Sequence, residues 1–398
     1  KSNTILLMTK LRLIACLCLS ALCLNTWADI IDDDASMLPS EEEAVYTPTE
    51  MDGVDGETLA QQLGINKTDG DSPDWLADVA SRIKLHGYAQ GWYTAQHAGG
   101  KNSTSFLCKR TLLWANAQIT DRWSFLFMHD FNSVVQEYYT DFRISNNNML
   151  TVRFGQFKHG LSYENPLSPT AMETIDVYSE GVTYLTGCGS DPMNGVQYGR
   201  EQGIAIYGET NDKRFRYEID VLNGSGINTK DKDNLKNVVG RLEYRPTKGL
   251  NLCVTGQLGH GNSLVSNPIF NPTITQGEIY KRNRWTAGFD YKSTPFNVHG
   301  EYLEGKDGTV TSRGAYLTGS IAIVPQKWDI VASYDYFNFN TEEKMDMHKA
   351  VAGIQYWFFK KCRFQVQYVY KNANTNYSTF FERGANHQLM CQMQVRFN

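Results

Sequence analysis

From about residue 83 to the end of the chain, apolar and polar residues alternate again and again. Leu250, Leu252, Val254 and Leu258 alternate with Asn251, Cys253, Thr255 and Gln257. Trp285, Ala287, Phe289 and Tyr291 alternate with Arg284, Thr286, Gly288 and Asp290, and Phe364, Val366, Tyr368 and Tyr370 with Arg363, Gln365 and Gln367. A period of two sends successive side chains to opposite faces of a strand, so each run has one apolar and one hydrophilic face. The helical period of 3.6 persists over no long window. The pattern predicts strands at 83–93, 106–119, 122–131, 137–145, 149–157, 202–210, 214–222, 237–245, 250–259, 283–291, 296–304, 313–323, 328–338, 348–358, 362–370 and 387–397, an all-β chain of sixteen strands.

The connections alternate in length. Short ones fall before Arg122 and at 145–148, 210–213, 246–249, 293–295, 324–327 and 359–361; long ones are expected around Gly99, Asn132, 158–201, Gly224, Ser266, Asp307, Glu343 and Asn374. Short turns at one end, longer loops at the other and an even strand number describe an antiparallel transmembrane β-barrel of the outer-membrane type, an arrangement that a soluble sandwich does not need. Trp123, Phe215, Tyr244, Tyr291, Phe296, Trp328, Phe358, Phe364 and Phe397 cluster where strands meet short turns. Strand propensity alone would enrich aromatics, but their position at one strand end points to an interfacial girdle.

Composition enters as a check. With 41% hydrophobic residues and a mean hydropathy of −0.43 the chain resembles a soluble protein, yet a barrel with one lipid face and one water face has this average. The longest apolar stretch, Leu13–Leu24, falls short of the about 20 residues that a membrane helix needs. Disorder of the whole is excluded by 22 Tyr, 19 Phe and 8 Trp, far more aromatic surface than an unfolded polar chain carries. Residues 1–28 read as a signal peptide, with Lys10 and Arg12 before an apolar core and a Thr26-Trp27-Ala28 cleavage site. Residues 29–80 read as an acidic, flexible extension with a short helix near Glu57–Leu63. Residues 81–398 are the barrel. The net charge of −5 hides this division: residues 29–75 hold 14 acids and one base, which leaves 76–398 at +5.

Sixteen strands enclose a lumen wide enough for water, and parity assigns to it Lys84, Arg110, Arg143, Arg153, Arg214, Arg216, Arg241, Arg245, Arg284, Arg363 and Arg396. Asp141, Glu218, Asp220, Glu243, Asp290, Glu301 and Asp335 share that face. Arg-rich pores favour anions, because the low-dielectric wall focuses their field and guanidinium forks match oxyanions; the competing reading is that pairs such as Arg216 with Glu218 only neutralise one another. The stretch 158–201 is far longer than ordinary connections, and such length is usually functional. It is expected to fold inward as a constriction that includes Lys158, His159, Tyr163, Glu164 and Arg200. Cys108, Cys188, Cys253, Cys362 and Cys391 show no paired or metal-ligand spacing and read as packing residues. No metal, cofactor or nucleic-acid partner is expected. His129 and Asp130 point to opposite faces of a strand and no Ser is placed to join them, so no catalytic residue is assigned.

The run TVRFGQFKHGLSYENPLSPTAMETIDVYSE, residues 151–180, resembles the signature of the phosphate-selective porin O and P family: a strand ending in R-x-G-Q-F-K, a turn, then a Ser-aromatic-Glu stretch. The resemblance places Arg153, Gly155, Gln156, Phe157 and Lys158 at family positions, while His159-Gly160 depart from the usual pattern. It implies a trimeric outer-membrane channel with sixteen strands, an inward third loop and a basic lumen, whose partners are outer-membrane lipid and small anionic solutes. A barrel that acts as a surface-binding or adhesion protein, or as partner of a lipoprotein, is the alternative.

Overall fold

The computed structural model describes residues 81–191, 193–266, 271–374 and 384–397. The expected signal peptide and acidic extension lie outside them. The strands are β1 (Ile83–Ala98), β2 (Lys101–Thr120), β3 (Trp123–Asp130), β4 (Val135–Arg143), β5 (Thr151–Lys158), β6 (Ser190–Asp191), β7 (Gly195–Val196), β8 (Arg200–Glu209), β9 (Phe215–Leu222), β10 (Asn237–Thr247), β11 (Leu250–Leu258), β12 (His260–Asn262), β13 (Ile279–Ser293), β14 (Phe296–Asp307), β15 (Val310–Val324), β16 (Trp328–Asn338), β17 (Asp346–Phe359), β18 (Cys362–Ala373) and β19 (Gly384–Phe397). Among the described residues there is a single short helix, α1 (Glu180–Thr186), between β5 and β6.

Neighbours in sequence pair antiparallel, and β1 pairs with both β2 and β19, Gly87 facing Phe397 and His97 facing His387, so the sheet closes on itself. β12 prolongs β11 along β13, and the pair β6–β7 stands apart from the wall. The result is a closed antiparallel barrel of sixteen strands. Closure removes every unpaired strand edge from the wall, as a membrane interior requires. Exposure alternates residue by residue over Ile279–Thr286 of β13, Glu301–Asp307 of β14 and most of β15. Leu252, Val254, Leu317, Ile321 and Ile354 lie on the exposed outer face, with Trp123, Phe215, Tyr244, Tyr291, Phe296, Phe358 and Phe397 at the end that carries the short turns. We call this the turn end and the opposite one the loop end.

The expected long loops at Gly99 and Asp307 are corrected to two-residue turns. β1–β2 closes on Gly99 and Gly100, with φ of 55° and 76°, and β14–β15 on Gly308 and Thr309. Two successive positive φ values make the primed hairpin turn that matches strand twist. The sequence 94–105 has no apolar alternation there, but ladder bonds carry β1 and β2 on beyond the apolar band. In β5, Gly155 has φ +138°, and a Cβ there would meet the Tyr138 carbonyl oxygen at 2.3 Å. Only glycine fits this irregularity, which lets both Gln156 and Phe157 be buried.

Candidate functional site: a lumen crossed by the third loop

Between β5 and β8 the chain enters the barrel and touches the inner wall on many strands. Gly160 N–H donates to Asp220 on β9 at 2.9 Å, and Arg241 on β10 donates to the Ser162 carbonyl at 2.6 Å. Ser162 Oγ and Tyr163 N–H both donate to the Glu301 carboxylate on β14, each at 2.8 Å. Glu164 lies 3.2 Å from His299 on the same strand. The chain then crosses to the wall of β17–β19, where Arg363 donates to Met172 O, Gln365 and Gln367 to Glu173 O, and Arg396 to Thr170 Oγ1. Gln367 also accepts from Ile175 N–H at 2.8 Å. Long amide side chains here satisfy loop backbone groups that have no ladder of their own.

The return limb is held by charge. Ser179 caps α1 by accepting from Val182 N–H, and Gly187 closes it at φ 66°. Glu180 lies 3.0 Å from Lys349 on β17 and 2.8 Å from Lys371 on β18, while its N–H donates to Asp335 on β16. Burial raises the Glu180 carboxyl, but the two ammonium groups outweigh it and hold it below its ordinary range. Asp176 behaves likewise, burial being outweighed first by Lys371 and then by Lys349. Farther on, Arg282 on β13 pairs with Asp191, and Arg284 donates to Leu185 O at 2.6 Å and pairs with Asp307 at 3.1 Å. Asp191 is held low as well, burial being overcome by Arg282 and Arg284. His159, buried and with Nε2 3.2 Å from Thr186 O, is pushed down to about 4 by burial and is neutral at neutral pH.

Of the residues assigned to the lumen by parity, Lys84, Arg110, Arg143, Arg153, Arg216, Arg241, Arg245, Arg284, Arg363 and Arg396 sit at inward register positions. Arg214 does not: it lies in the turn before β9, 60% exposed beside Asp212. Arg153 is fully engaged, bonded to Asp141 at 2.8 and 2.9 Å and stacked 3.8 Å over the Tyr139 ring. Arg241 pairs with Glu243 at 2.6 Å, Arg245 with Glu209 at 2.5 Å and Arg200 with Glu137 at 2.7 Å. Arg110 donates to Gln90 and lies 5.8 Å from the Trp92 ring. Lys158 stands out: its Nζ reaches only Leu167 O at 2.7 Å and Tyr178 OH at 2.9 Å, with no carboxylate within ion-pair distance among the described residues. Two of the charges that act on it, Arg200 and Arg110, are of its own sign, and Glu137 is already taken by Arg200.

Sequence reasoning missed Lys349, Lys371, Arg282 and the glutamine wall. On β17 the inward set Met347, Lys349, Val351 and Gln355 is no more polar than the outward set His348, Ala350, Ile354 and Tyr356, so hydrophobicity cannot tell the faces apart. The same failure is larger on β1–β5. Tyr88, Leu112, Trp114, Leu126, Met128, Tyr139 and Phe157 are buried in one cluster with Leu161 of the loop, while Phe125 and Phe127 face outward. This part of the inner wall is apolar. Asp130 is buried, accepting from Thr111 N–H and Asn132 N–H, and His129 packs edge-on against Phe131, so the two do not form a catalytic pair. All five cysteines among the described residues are free; Cys108 is exposed rather than packed.

No family model and no curated protein sequence matches the chain. Solved structures do. The anion-selective porin from Comamonas acidovorans is similar with a TM-score of 0.58 at 12% identity, over 79% of this chain and 99% of that one. OprB of Pseudomonas putida gives a TM-score of 0.58 at 8% identity, over 81% and 96%. The trimer form of OmpT, an outer-membrane protein of Vibrio cholerae, gives 0.53 at 13% identity, over 79% and 99%. At these identities the likeness establishes the fold, that of the outer-membrane porins.

Proposed function

We propose that the protein is an outer-membrane porin, exported by its N-terminal signal and assembled as a homotrimer, that provides a diffusion path for small hydrophilic solutes and prefers anions. The turn end then faces the periplasm and the loop end the exterior. The observation that carries the anion preference is the cluster of Arg110, Arg200 and Lys158 at one corner of the lumen, in which Lys158 has no carboxylate partner among the described residues. Three basic side chains share this corner with Glu137, which Arg200 already pairs, so the corner is net basic and favours a passing anion. The name of the Comamonas acidovorans protein supports the same sign. Phosphate selectivity of the O and P type is the narrower form of the proposal, supported by the run from Arg153 to Lys158.

Reversal potential across a planar bilayer in a chloride gradient, followed by competition with phosphate, tests it. Lys158→Met with Arg110→Met is expected to lower the anion-to-cation permeability ratio severalfold, as is joint neutralisation of Arg143, Arg153 and Arg284. An unchanged reversal potential in both variants removes the lumen-cation mechanism. The depth to which the third loop fills the lumen favours a second reading, a barrel that binds at the cell surface without a large pore; absence of open-channel current in the parent protein would select it.

A further inference from the structure

The wall closes on itself, but β2 outruns it at the loop end. β2 pairs with β3 only from Leu112, which faces Asp130, towards the turn end, whereas its pairing with β1 continues up the hairpin to Ala98 facing Lys101. The β3–β4 turn reaches a little higher, since Phe131 N–H donates to Thr111 O and Asn132 Nδ2 to Cys108 O at 2.6 Å. Beyond it, among the described residues, Lys101–Leu107 has a strand on one side only. This is about 20 Å of sheet edge. Every residue from Lys101 to Lys109 is exposed, whichever face it occupies. The edge also stands clear of the apolar band: Phe106, 83% exposed, packs on Tyr93 with ring centroids 4.7 Å apart, and residues 94–105 carry no large apolar side chain.

Register decides which backbone groups are open. The two-residue turn makes Ala98 and Lys101 a hydrogen-bonded pair, so Ser103, Ser105 and Leu107 bond to β1, while Asn102, Thr104 and Phe106 turn N–H and C=O away from it. The root of the hairpin agrees. Thr111 directs both its N–H, towards Asp130, and its C=O, towards Phe131, away from β1, and the bulge opposite Gln90 and Gly91 shifts the alternation by one residue. Phe106 O takes a bond from Ser105 Oγ at 3.4 Å. The N–H and C=O groups of Asn102 and Thr104 point outward from the edge.

Lysine and a bulge are common defences of an exposed edge. Here they stand at its two ends, Lys101 at the tip and Lys109 in the bulge, and leave Asn102–Leu107 open between them. Residues 83–120 contain no Asp or Glu. Lys101 shares the lumen-side face with Ala98, and so does Lys109, whose Nζ lies 5.0 Å from the Trp92 ring. Two copies of this edge would set these lysines against each other. An acidic strand meets them favourably.

We propose that the edge receives an extended strand of another protein in which acidic residues alternate with β-branched ones. Its main chain would prolong the sheet, its acids would face Lys101 and Lys109, and its β-branched side chains would cover Phe106 on the opposite face. The inference holds whether or not the lumen conducts.

The test uses the full chain in neutral detergent and fluorescence anisotropy of a labelled peptide of about seven residues in which Glu alternates with Val. The parent protein is expected to bind it. The same peptide with Lys for Glu should bind at least about tenfold more weakly, because like charges then oppose Lys101 and Lys109. N-methylation of all its amides should abolish binding by removing the donors. Thr104→Pro deletes an outward N–H and puts a ring at the edge without touching a bond to β1, a position where an edge strand accepts proline; it should lose at least about tenfold in affinity, while Thr104→Ala keeps the parent value. Both variants should stay heat-modifiable, since the overhang takes no part in closure. No binding by the parent, equal binding of the N-methylated peptide, or parent-like binding by Thr104→Pro overturns the proposal, the last also being the result for a peptide caught in the basic lumen. A fall in the mass of the solubilised protein in Thr104→Pro, read by light scattering, assigns the edge to a second copy and overturns the foreign strand. Should Thr104→Pro fail to fold, the N-methylated peptide still decides.

Discussion

Removal of Lys349 should release the third loop. Its ammonium lies 3.0 Å from Glu180, 3.2 Å from Tyr178 O and 3.8 Å from Asp335, and all three side chains of the charged group are under 10% exposed. Lys349→Met keeps the length and removes the charge. Loss of one partner from a buried ion pair costs about 3–5 kcal/mol, because the other charge stays desolvated. Lys371 remains 2.8 Å from Glu180, so the lower end applies, about 3 kcal/mol, or roughly a hundredfold in the equilibrium between docked and released loop. The barrel ladders do not include this contact, so the folded barrel should persist in heat-modifiability gels. Single-channel recordings should show larger or longer openings, and protease should cut between residues 159 and 199. Glu180→Gln added to Lys349→Met should recover part of the closure, since the repulsion between the Glu180 and Asp335 carboxylates is then gone while Lys371 keeps Asp176. Parent-like currents and parent-like protease resistance in Lys349→Met would refute the assignment of this cluster as the loop anchor.

The pH response follows from His159 and the loop carboxylates. In the docked loop His159 takes no proton until about 4, against an ordinary value of 6.5, so docking is fully favoured above about 6.5 and weakens as pH falls towards 4. Channel openings should rise over that window, and His159→Gln should flatten the rise. Glu180, Asp176 and Asp191 are held low, so their contribution is complete above the ordinary carboxylate range and is lost only in stronger acid. Burial pushes the Cys188 thiol up to about 11; in a Cys108→Ser background it should react slowly with maleimide at neutral pH, and faster once Lys349→Met frees the loop. Gly155→Val should prevent closure of the wall, since its Cβ would meet Tyr138 O and the φ is strained, at a cost of at least about 2 kcal/mol; a parent-like fraction of heat-modifiable barrel would contradict this.

The barrel could be read from sequence because its outer face must be apolar at every second residue, whatever the lumen holds. The wall β13–β15 shows it: Trp285, Tyr302 and Leu317 outward against Arg284, Leu303 and Tyr316 inward give a readable register even where the inward set is mixed. The site was less legible because a lumen that contains a loop is no longer a water face. Where the loop is polar, the wall answers with Gln365, Gln367 and Lys349; where it presents Leu161, the wall answers with Tyr139 and Phe157. Inward residues are thus selected by the loop segment they meet, a pairing across some 190 residues of sequence for Arg363 with Met172. Parity locates the inner face, and the chemistry on that face is set by a partner that periodicity cannot see.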